Sequence, residues 1–112
     1  MSIDYKYNEP KLLKEIAEYI DETYTQHYSL NRFQATEFII DSGMGEGFTL
    51  GNVMKYSQRY GKKAGKNRKD ILKIIHYGIL ALHNHDMLES NFKEYEHARA
   101  KKIQENSNYD ES

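Results

Sequence analysis

Eight cations fall within nineteen residues of this chain. Lys55, Arg59, Lys62, Lys63, Lys66, Arg68, Lys69 and Lys73 are half of its sixteen basic residues, and Asp70 is the one acid among them. The window carries +7, which leaves about −8 for the remainder of a chain whose net charge is −1. Charge so unevenly placed speaks of a binding partner rather than of a fold. Guanidinium and ammonium groups at this density suit phosphate, the first as a bidentate fork and the second as a point charge. Gly61 and Gly65 lie inside the window. Their backbone amides, with those opening the next helix, add donors and a helix dipole to the same task.

The residues leading into this turn have the periodicity of a helix. At 100° per residue, Asn52, Lys55, Tyr56 and Arg59 share one arc. Asn52 has the amide to read a base edge or a hydroxyl, Tyr56 the ring to stack on a base, and Lys55 and Arg59 the charge for phosphate. Lys62 and Lys63 extend that charge into the turn. The alternative is an ordinary solvated face. Leu50, Val53, Ser57 and Tyr60 occupy the opposite arc, which can face a core. If the charged arc binds a nucleotide, Arg59→Ala is expected to weaken binding by about 1.5–3 kcal/mol and to leave the fold intact.

His27 and Tyr28 precede the next candidate helix upstream, where a histidine can donate to phosphate or act as a general acid, or simply cap a loop. The glycine–lysine turn is no Walker loop. Three residues separate Gly61 from Gly65 where four are needed, and Asn67 stands after Lys66 where serine or threonine is required. Glu37 and Asp41 lie one turn apart, too little for a metal site, and His83 and His85 fall on different helix faces. No metal and no cofactor is expected.

The elements that must position these groups read as helices. Pro10 suits a helix start, and Leu13, Ile16, Ile20 and Tyr24 form one apolar stripe behind it. A second, short helix runs from about Asn31 to Asp41, with a strand through Phe38–Asp41 as the alternative. The glycine-rich segment Ser42–Phe48 ends it, and Thr49 is the expected N-cap of the third helix, to Tyr60. The fourth opens near Asn67, with Asn67 and Asp70 as a capping pair and Ile71, Ile75, Gly78, Ile79 and Leu82 as its stripe. His83–Asp86 reads as a hinge before a fifth, polar helix from Leu88 to about Gln104. The expected fold is all-α: four or five helices, the third and fourth in an antiparallel hairpin, with Val53 and Tyr60 facing Ile71, Ile75 and Ile79.

One domain over residues 1–105 and a disordered tail over 106–112 account for the 112 residues. Only 38% are hydrophobic and 29% are charged, with ten tyrosines to thicken a thin core. A thin core leads us to expect a homo-oligomer with pockets at or near its interfaces. The absence of cysteine excludes disulfides and thiolate metal sites and fits the cytoplasm. No apolar run reaches membrane length, and the first residues have no signal-peptide character, so no membrane partner is expected. Near-neutral net charge argues against coating of a long polyanion, so nucleic acid is the less favoured ligand.

A set of short patterns has a familiar spacing. His27-Tyr28 is followed by Glu37-Phe38-Ile39, then by F-x-L-G-N-x-x-K-Y-x-x-R at Phe48, Leu50, Gly51, Asn52, Lys55, Tyr56 and Arg59. Next come Gly61-Lys62-Lys63, Asp70-Ile71-Leu72-Lys73, Tyr77 and Leu80. The run from His27 to Leu82 resembles a family of small phage proteins known as a domain of unknown function. That family includes a phage kinase of deoxynucleoside monophosphates that has no P-loop and works as a large oligomer. The resemblance implies a nucleotide pocket here, with His27, Asn52, Lys55, Tyr56, Arg59 and Lys63 as contacts. Ile75 and His76 depart from the alanine and tryptophan usual in the family, and the segment after Leu82 has no counterpart in it.

The expectation is therefore a phage protein that binds and sequesters a small nucleotide, such as an ADP-ribose derivative or a cyclic nucleotide serving as a host immune signal. A nucleoside monophosphate kinase and a nucleic-acid-binding module are the alternatives. Cations and aromatics favour binding; turnover needs two substrates positioned together.

Overall fold

Pro10 sets where the first helix begins. α1 spans Glu9–Thr25 with Pro10 in its first turn, where a missing amide hydrogen is harmless. Asn8 before it is left-handed (φ 60°, ψ 29°), and its carbonyl accepts the Leu12 amide at 3.0 Å. This structure of the protein, a computed structural model, describes residues 2–26, 29–62 and 65–110. It is 86% helical, with no strand among the described residues. The all-α expectation holds, but the expected four or five helices resolve into three continuous helical stretches. They are α1; then α2 (Ser29–Ile39), a π-helical turn (Ile40–Met44) and α3 (Gly45–Arg59); then α4 (Arg68–Asp110).

Of the three glycines between α2 and α3, one makes the break. Gly43 alone takes a positive φ, 89°, and kinks the path there. Gly45 and Gly47 are helical, so α3 starts four residues before the expected cap at Thr49. Thr49 is instead fully buried inside the helix, its hydroxyl donating to the Gly45 carbonyl at 2.8 Å. Close packing explains the earlier start. A Cβ on Gly45 would lie 2.3 Å from Oδ1 of Asn84 on α4, so the helix must begin where a bare backbone can pass.

Of the expected capping pair at α4 only the Asn67 half forms; the Asp70 carboxylate turns to Arg59 instead, and the Asn67 amide donates to the Gly65 carbonyl. Oδ1 of Asn67 accepts the Lys69 amide at 3.0 Å and the Asn67 carbonyl accepts the Asp70 amide at 3.0 Å. The expected hinge at His83–Asp86 is absent. Asn84 is buried against α3, and the ion pairs His85–Glu89 (3.6 Å) and Lys93–Glu89 (3.3 Å) run one turn apart along the surface, so α4 continues as one helix. It remains helical through Asp110, past residue 106 where a disordered tail was expected.

α3 and α4 form the antiparallel hairpin expected of them, as the pairs Arg59–Asp70, Tyr56–Tyr77 and Gly45–Asn84 show. The faces in contact are not the aliphatic ones. Tyr56, Tyr77, Thr49, Asp70 and Asn84 are buried, while Leu50, Ile71, Ile75, Ile79 and Leu82 remain exposed. Of the stripes that were to face each other, Val53 is half-buried, while Tyr60, Ile71 and Ile75 line a groove against α1 and Ile79 is exposed. α1 packs beside the start of α4 through buried Ile16 and a two-pronged Arg68–Glu15 pair, one arm 2.8 Å long. Leu13 and Tyr24, the outer members of its expected stripe, stay exposed.

The result is extended, 72 × 44 × 27 Å with a radius of gyration of 20.7 Å. A compact chain of this length would have a radius near 13 Å, roughly. Two glycines test the packing account. Gly45→Ala should lower the unfolding free energy by about 1–3 kcal/mol through overpacking onto Asn84. Gly51→Ala, whose added Cβ would meet nothing within 4 Å, should raise it by about 0.5–1 kcal/mol. Urea unfolding of the two variants reads both signs.

Candidate anion-binding cleft

Tyr77 is where three helical segments meet. Its ring stacks on Tyr56 of α3 (5.9 Å, 15°) and takes Phe48 edge-on (6.0 Å, 79°). Its hydroxyl accepts a hydrogen bond from Nη2 of Arg32 on α2 at 3.1 Å. Around that bond opens a cleft walled by Tyr19 and Thr23 of α1, Arg32 and Phe33 of α2, and Lys73 and His76 of α4. The space inside it for the centre of a water-sized sphere is only about 20 Å³. The floor therefore admits solvent or a phosphate oxygen, and a whole nucleotide only with its larger part outside.

The charges here do not balance. Arg32 and Lys73 line the cleft with no acid among its described lining residues, an excess of +2 in a partly dry site. Burial first, then the charges of Arg59 and Arg32, push the Lys73 ammonium below its ordinary value. The same ammonium lies 4.9 Å from the centroid of the Tyr56 ring, whose face offsets part of that cost. His76 is held below its ordinary 6.5 by burial and then by the Arg32 charge, with Tyr19 edge-on at 6.1 Å. An anion entering the cleft would reverse both shifts.

The residues singled out from sequence divide into groups. Arg59 points into the hairpin, where Nε stands 3.8 Å from Oδ1 of Asp70; that carboxylate is 2% exposed, and its Oδ2 has no hydrogen-bond partner among the described residues. Tyr56 is buried and serves Tyr77, so its ring is not offered to a base. Asn52 donates to the Phe48 carbonyl of its own helix at 2.8 Å. Lys55 is exposed, 5.3 Å from the Tyr56 ring, and Lys62 is exposed on the turn. His27, Tyr28 and Lys63 lie outside the described residues. Two amides of the glycine turn are already engaged within it. Gly61 donates to the Gly65 carbonyl at 3.1 Å, and Asn67 donates to the same oxygen at 3.1 Å.

Arg32, Lys73, His76 and Tyr19 were missed as site residues. Only the +3 and +4 spacings of Lys73, His76 and Tyr77 could have signalled one face; Arg32 comes from a distant helix whose approach no local pattern encodes. His85, Asp86 and Glu89 also bring their ligand atoms within 4.8 Å of one another, but all three are exposed and the 3.6 Å His85–Glu89 pair accounts for two of them.

Two measurements probe these electrostatics. Arg59→Ala should now destabilise the fold, by on the order of 2 kcal/mol, because it strands a buried carboxylate beside a half-exposed partner. Adding Asp70→Asn should recover most of the loss in urea unfolding. His76 is easier to protonate in the unfolded chain than in the folded one. Its contribution to stability is complete above about pH 6.5 and is lost as pH falls through the depressed folded value. His76→Gln should flatten that acid limb in a pH series of melting temperatures.

No curated protein and no solved structure matches the chain. A family model, DUF3310, described as a protein of unknown function, matches residues 22–78, just over half of the 112. The match runs from the end of α1 through the hairpin and takes in Arg32, Arg59, Asp70, Lys73, His76 and Tyr77. The chain belongs to this DUF3310 family of proteins of unknown function.

Proposed function

We propose that the protein binds a small phosphate-bearing nucleotide, with a phosphate seated between Arg32, Lys73 and His76, and that it holds the ligand rather than turning it over. The observation that carries this reading is the uncompensated charge: Arg32 and Lys73, with His76 beside them, line a cleft that has no acid among its described lining residues, and burial there already depresses Lys73. A dianionic group repairs that imbalance, and a neutral or cationic ligand worsens it. The stacked pair Tyr24–Phe33 (4.1 Å, 10°) adjoins the mouth through Phe33, and Tyr24 is 61% exposed, an aromatic platform on which a base can lie. Holding is favoured over transfer because the floor takes in no more than a phosphate oxygen, whereas phosphoryl transfer aligns a donor and an acceptor.

Calorimetry with nucleoside mono- and diphosphates, ADP-ribose and cyclic dinucleotides should find at least one saturable ligand. Arg32→Ala or Lys73→Ala should then weaken it by about 1.5–3 kcal/mol, and exposed Lys55→Ala by less than about 0.5 kcal/mol. No saturable ligand, or equal losses for Lys55 and Arg32, would overturn the assignment. ADP formation from ATP and a monophosphate would turn the reading to a kinase. Affinity that grows with strand length and falls steeply with salt would turn it to a nucleic-acid module.

A further inference from the structure

α4 outlasts its partner. Ile74, Ala81, Leu88 and Tyr95 recur every seven residues along it. The first two are half-buried in the hairpin, but α3 begins at Gly45, opposite Asn84, and every side chain from His85 to Glu105 is exposed. Leu88, Phe92, Tyr95 and Ile103 are 51%, 60%, 64% and 58% exposed. The seam continues after the helix that fills it has ended. An isolated helix of about twenty residues this polar is marginal in water, so its apolar edge needs a cover.

The charges say what covers it. Between 86 and 96 stand Asp86, Glu89, Glu94 and Glu96 against Lys93; between 97 and 105 stand Arg99, Lys101 and Lys102 against Glu105. The segment is acidic (−3) and then basic (+2), which repels a parallel copy and attracts an antiparallel one. We infer that residues 86–105 of α4 pair antiparallel with the same segment of a second copy, about a two-fold axis between Tyr95 and Glu96. That register sets Leu88 against Ile103, Glu89 against Lys102 and Phe92 against Arg99 of the other copy, so apolar meets apolar, acid meets base and a ring meets a guanidinium. The pairing is about 30 Å long and leaves both clefts clear, since they lie near Tyr77 on the preceding half of the helix.

The full-length chain should sediment as a dimer, or a multiple of it, at tens of micromolar, and Phe92→Asp should shift it toward the 13.2 kDa monomer while it still unfolds cooperatively. Because the chain has no cysteine, orientation can be read directly. Glu89→Cys alone and Lys102→Cys alone should each fail to cross-link, and an equimolar mixture, after subunit exchange, should form the disulfide. A monomeric wild-type chain, an oligomer indifferent to Phe92→Asp, or a cross-link in Glu89→Cys alone would each overturn the inference.

Discussion

Everything in the hairpin is arranged around the hydroxyl and ring of one residue, Tyr77. Its ring completes the contact between α3 and α4, and its hydroxyl holds the guanidinium of Arg32 from α2 at 3.1 Å. A phenylalanine there would keep the stack and release Arg32; an isoleucine would lose both. The bond couples packing to electrostatics, for it brings the Arg32 guanidinium to the cleft that Lys73 also lines. Burial first, and after it neighbouring guanidinium charge, depresses Lys73 and His76.

The elements were legible where local chemistry decides them. Pro10 opened α1, Asn67 capped α4, and the basic turn joined an antiparallel pair. The faces were less legible. Periodicity identifies an apolar stripe but not what it meets, and here Ile71 and Ile75 of the α4 stripe line a groove against α1, while Thr49 and Asn84 are the ones buried. The joint between α2 and α3 was read as a stop because three glycines cluster there, yet only the one with φ 89° breaks the path. The basic window was legible as charge, but not the partners its residues take. Arg59 serves the interior, Asn52 serves its own helix, and Arg32 arrives from elsewhere in the chain through a hydrogen bond spanning 45 residues.

A core this polar changes how the protein holds together. Among the described residues the buried apolar side chains are Ile16, Tyr56 and Tyr77, while Thr49, Asp70 and Asn84 are buried beside them. Aliphatic burial tolerates small errors of geometry, but hydrogen-bonded and charged groups do not. The hairpin is therefore a precise joint with little reserve, and the exposed aliphatic surface along α4 carries the unspent hydrophobic driving force of the chain.

Gly43 adds a mechanical property. It joins α2 to α3 through a single left-handed residue, whereas Lys73 and His76 stand on a helix clamped along α3. Arg32 is eleven residues from this swivel, a lever of about 16 Å, so a rotation of about 10° carries the guanidinium roughly 3 Å. Such a stroke would part Arg32 from Tyr77 and widen a floor that now holds little more than solvent. The aperture of the cleft thus turns on one pair of backbone torsions and on the bond between Arg32 and Tyr77.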